Sequence, residues 1–139
     1  MSSRTIDVSE AALLAWCRAR GIEIVVMDIA GSRWGWYSLR DGVIAIQEGL
    51  SQTQRVATLL HEIEHVRRHD DGPQPQYVED AIDEKVARTL IEPDDYRRAV
   101  DDEDFHGNLF ALARRLGTCG WVVQAFQRTH QLEVMPVPS

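Results

Sequence analysis

The 139-residue chain reads as an α+β protein, a small antiparallel sheet packed beside a mainly helical domain. Three observations carry that reading. Short runs of β-branched and aromatic residues are confined to residues 22–46 and are punctuated by an Asp-Gly turn. On either side of them, apolar residues recur at three- and four-residue spacing behind serine caps. The composition, 44% hydrophobic and 27% charged, is that of one globular domain, 1–139, long enough to bury a core without staples.

The elements follow in order. Residues 1–8 are expected to be a loose end. Ser9 is placed to cap a helix from Glu10 to about Arg20, which turns Ala12, Leu13, Trp16 and Cys17 inward and is closed by Gly21. Ile22 to Met27 forms a short β run, and Asp28 to Arg33 a connection. Trp34–Leu39 and Val43–Ile46 make two strands around Arg40-Asp41-Gly42, where Asp-Gly is a strong hairpin signal. Trp34, Trp36 and Tyr37 are expected in the core of this sheet, with the lining of a cleft as the alternative. Ser51 with Gln54 three residues on is a capping box, and Val56, Leu59, Leu60, Ile63 and Val66 mark the buried side of the helix it starts. After a break at 70–75, a second helix runs from Val78 to Ile91 with Ala81 or Ile82, Val86 and Leu90 inward. Asp94 to Val100 makes a short helix. His106–Leu116 and Thr118–Thr129 form a helical pair around Gly117, and Pro136 to Ser139 is tail.

The helix behind Ser51 carries His61-Glu62-Ile63-Glu64-His65, which fits the zinc-hydrolase pattern H-E-x-x-H. Residues four apart on a helix lie about 40° apart around the axis and about 6 Å along it. Both imidazoles therefore share a face and can share one metal ion. Glu62 is rotated off that line, where it can take a proton from a water held there without being a ligand. A catalytic zinc needs a third protein ligand. A third histidine six residues after His65 is absent, since that position is Asp71 and Arg68 stands where the accompanying glycine would be. The second helix offers Glu79, with Asp83 four residues on able to hold a ligand histidine by its other ring nitrogen. Asp80 is the rival ligand, and Asp70 or Asp71 a further choice. A sheet edge beside such a site can hold an extended peptide by backbone hydrogen bonds.

Ile44-Ala45-Ile46, Leu50-Ser51, Gln54-Arg55 and Thr58-Leu59-Leu60 leading into the motif resemble the ImmA/IrrE metallopeptidase family. The resemblance continues through Glu79-x-x-Ile82-Asp83, Ala87-Arg88-x-Leu90-Ile91 and Pro93, and covers about residues 40–95. It implies a zincin-like fold and a small cytoplasmic zinc peptidase, often borne by phages or mobile elements, that cleaves a transcriptional repressor. Carried over residue by residue, His61, His65 and Glu79 would be zinc ligands and Glu62 the general base. His69 also falls where many relatives carry a histidine. Glu64 replaces the glycine common in the family's motif, and Leu90-Ile91-Glu92-Pro93 is one residue longer than the usual ending. Alignment from the proline favours Asp80 as third ligand; alignment from Asp83, Ala87 and Arg88 favours Glu79. Tyr77, His69 and His106 are the candidate donors to a developing oxyanion.

Charge and composition narrow the alternatives. The formal net charge of −7 disfavours a stand-alone nucleic-acid binder. Residues 112–123 have the outline of a helix-turn-helix, yet Trp121, Val122, Val123, Ala125 and Phe126 crowd the second helix with apolar groups and point to packing instead. Asp94-Asp95 and Asp101-Asp102-Glu103-Asp104 read as solvated loop, with docking of a basic substrate as the alternative. No apolar run approaches the roughly 18–20 residues needed to span a bilayer, and no signal-peptide core opens the chain. A cytoplasmic protein is expected, with Cys17 and Cys119 as buried thiols. The expected partner is a protein substrate, a separate repressor-type regulator, with no direct nucleic acid and no membrane. The competing reading is a non-catalytic binding module of the same fold.

Overall fold

A computed structural model describes residues 8–31, 34–102 and 108–134, with the side chains of 131–134 left aside. These residues fall into two compact units, 1–75 and 76–139. The expected loose end at 1–8, apart from Val8, and the tail at 136–139 lie outside the described residues.

The first unit opens with α1 (Glu10–Ala19), whose start is set by Ser9: its hydroxyl accepts from the Ala12 N–H at 3.2 Å. Leu13 and Cys17 are its fully buried residues, so the stripe is narrower than the four positions expected. Burial pushes the Cys17 thiol up to about 11, as suits a small apolar core group. Next come β1 (Glu23–Met27), β2 (Gly35–Ser38) and β3 (Val43–Gln47). The sheet is mixed, which corrects the antiparallel sheet read from the sequence. Its order is β1-β3-β2; β2 and β3 are the antiparallel hairpin, but β1 lies parallel to β3 from Glu23↔Val43 to Met27↔Gln47. The reason is burial. β3 alternates strictly, with Ile44 and Ile46 buried, and takes the centre with a neighbour on each edge. Tyr37 is core as expected, whereas Trp36 is 38% exposed.

The unit is completed by α2 (Gln52–Arg68), which packs on β2, β3 and α1. Its capping box is formed in both directions: Gln54 N–H donates to Ser51 Oγ, and Ser51 N–H donates to Gln54 Oε1. Ala57, Leu59, Leu60, Ile63 and Val66 make its buried face.

The second unit is helical: α3 (Gln76–Leu90), α4 (Pro93–Asp101), α5 (Leu109–Leu116) and α6 (Gly120–Val134). Glu92 caps α4 by accepting from Asp94 and Asp95 N–H, and Asn108 caps α5 through Phe110 and Ala111 N–H. Ile82, not Ala81, begins the buried face of α3, followed by Val86 and Ala87. Leu90 is half-buried, and Ile91 just beyond the helix is in the core. Gly117 takes a left-handed φ of 71° and turns the chain between α5 and α6. Val122, Val123, Ala125 and Phe126 are all buried where α6 packs on α3 and α5. These four apolar residues serve the core of the second unit, as their crowding in the sequence suggests.

Candidate metal centre

The pair at the heart of the motif is built by α2 alone. Four-residue spacing sets the His61 and His65 rings edge to face, with centroids 5.0 Å apart. His65 is 4% exposed and His61 half-buried. Glu62, one step round the helix, is 6% exposed and lies on the side facing β2.

The end of α2 orients His65. His69 takes the left-handed conformation, φ 60° and ψ 32°, and reverses the chain so that Asp70 N–H donates to the His65 carbonyl. The Asp70 carboxylate comes up under the ring, Oδ2 at 2.9 Å from His65 Nδ1, and accepts from Arg68 Nε at 2.7 Å. Burial works to raise the Asp70 carboxyl, but the hydrogen bonds from His65 and Arg68 outweigh it and hold it below the ordinary carboxylate range. An ionised carboxylate only accepts, so Nδ1 carries the hydrogen, and in a neutral ring Nε2 is the nitrogen able to act as a ligand. Asp70 thus takes the orienting role; the sequence had suggested it only as an alternative ligand. Helical spacing alone does not find it, because the contact depends on the left-handed turn at His69.

The loop that follows also braces the sheet. Asp71 Oδ1 accepts from Leu39 N–H at 3.1 Å, and Gly72 N–H donates to the Tyr37 carbonyl at 3.3 Å. Alternate residues of a strand point their backbone groups to the same side, so the outer edge of β2 is closed at Tyr37 O and Leu39 N. An added peptide strand would have only the part of that edge near Gly35.

Among the described residues, one group of side chains has the donor atoms to hold a metal ion: His61, His65 and Glu79, one ligand atom each, all within 4.8 Å of one another. Two imidazoles and a carboxylate suit zinc and several other divalent ions. Glu79 is half-buried in the first turn of α3. Asp80 accepts from Gln76 Nε2 at 2.8 Å. Asp83 is half-buried one turn further on. Of the candidate oxyanion donors, His69 is exposed, Tyr77 is 76% exposed and His106 lies outside the described residues. No helix among the described residues is long and apolar enough to cross a membrane. Compared with known proteins, the chain matches no family model, no curated protein and no solved structure.

Proposed function

We propose that the protein is a zinc-dependent endopeptidase that cleaves a separate regulatory protein. The observation that carries the reading is the convergence of His61, His65 and Glu79 ligand atoms within 4.8 Å, beside a buried Glu62. A divalent ion bound there would acidify a water molecule and polarise a peptide carbonyl. Asp70 holds the His65 ring by Nδ1, so that Nε2 is the nitrogen that would bind that ion. Glu62 accepts the proton of the attacking water and returns it to the leaving amine, as general base and then general acid. Its burial strips away competing solvent and favours that transfer. The substrate class, a repressor-type regulator, rests on the resemblance of residues 40–95 to the ImmA/IrrE metallopeptidases.

Elemental analysis of untagged protein tests the reading first. About one zinc per chain is expected, lost in Glu79→Ala and kept in Asp80→Ala. Glu62→Gln should keep the zinc and lose cleavage of the cognate regulator by at least about 100-fold, the scale of a general base. A chain that holds no zinc after the metal is supplied and the excess removed would defeat the proposal.

A further inference from the structure

Gly35 opens β2 with no side chain at the point where the strand meets α2. A Cβ built there would stand 2.6 Å from Thr58 Cγ2 and 3.0 Å from both Cγ and Oε2 of Glu62. Contacts that short force something to move. Thr58 has nowhere to go: it is 3% exposed, and its hydroxyl donates to the Gln54 carbonyl at 2.8 Å, which fixes its rotamer. The strand cannot back away either. It is paired with β3 at Trp36↔Ala45 and tied on its other edge by Gly72 N–H and Asp71. Of the two neighbouring residues, Glu62 has the longer side chain and more torsions through which to yield.

We propose that Gly35 is a positioning residue for Glu62: the missing side chain brings β2 close enough to α2 to seat the Glu62 carboxylate against the strand. Its catalytic consequence rests on the peptidase reading, but the seat itself does not. An isolated glycine inside a strand pattern is the sequence sign of such a close approach, and Trp34-Gly35-Trp36 carries it.

The test pairs Gly35→Ala with Thr58→Ser, which deletes Cγ2 and keeps the hydroxyl. In metal-free protein, the double variant is expected to melt about 3–6 °C below Thr58→Ser alone. Adding Glu62→Ala to both should close that gap. In zinc-loaded protein, the double variant should hold as much metal as wild type. It should bind acetohydroxamate, whose acidic proton needs an acceptor at the place of Glu62, about tenfold more weakly. Equal melting of the double variant and Thr58→Ser, or wild-type affinity for acetohydroxamate, would overturn the proposal. Failure to take up zinc defeats the peptidase reading alone, and the metal-free comparison still decides whether Gly35 seats Glu62.

Discussion

Asp70 shows how one carboxylate sets the chemistry of a neighbouring ring. Its partners differ in kind. Arg68 is 44% exposed on the side-chain scale, and an ion pair in that setting contributes little. His65 is buried, and without Asp70 its Nδ1 would lose the carboxylate acceptor that fixes which nitrogen carries the hydrogen. Asp70→Asn should therefore weaken zinc binding by about 10–100-fold, read by competition with a chromogenic chelator. Arg68→Ala should leave the affinity within a few-fold of wild type. Equal losses in the two variants would mean that the charge cluster matters and the orientation of His65 does not. The motif residues were legible as a spacing, because i and i+4 on a helix is a fixed geometry. Asp70 as orienter was not, since it acts from beyond the helix end.

At the scale of elements, α2 is the best specified part of the chain. Its start is written locally in Ser51 and Gln54, whose two reciprocal hydrogen bonds satisfy backbone donors that the first turn would otherwise leave open. Ser51→Ala should cost about 1 kcal/mol, within a range of about 0.5–2. That corresponds to a fall of about 3–5 °C in Tm. An unchanged Tm would show that burial against β2 and β3 holds the helix start without its cap. The sheet was legible only in part. The Asp41-Gly42 turn marked the β2–β3 hairpin, and Gly42 does take a left-handed φ of 64°. Nothing local marked the parallel pairing of β1, because strand order depends on which strand is buried on both edges.

For the molecule as a whole, each unit is cross-tied by an ion pair between elements distant in sequence. Arg55 on α2 donates Nε and Nη2 to the Glu10 carboxylate on α1, at 2.6 and 3.1 Å. Arg128 on α6 donates to Glu84 on α3 at 3.1 Å. The Arg55 hydrogen bond holds the Glu10 carboxyl below its ordinary value against the opposing effect of burial. The folded state therefore binds this proton less readily than the unfolded chain. The contribution is complete above the unfolded pKa of about 4.3 and is lost as the pH falls through the lower folded value. Glu10→Gln should lower Tm by about 1–3 °C at pH 7, with the wild-type and variant curves drawing together as the pH falls through the lowered Glu10 pKa. A gap that stays constant down to pH 3 would assign the effect to lost packing.

Sequence alone determined what depends on neighbours along the chain: the caps at Ser9 and Ser51, the hairpin turn, most of the buried face of α2, and the shared face of His61 and His65. Those features follow from spacings and torsions only a few residues long. Tertiary structure decided the order of the strands, the seat of Glu62 against Gly35 and the reach of Asp70 to His65. Each of these is a meeting of groups whose positions are set by burial and by a change of chain direction, which no periodicity records.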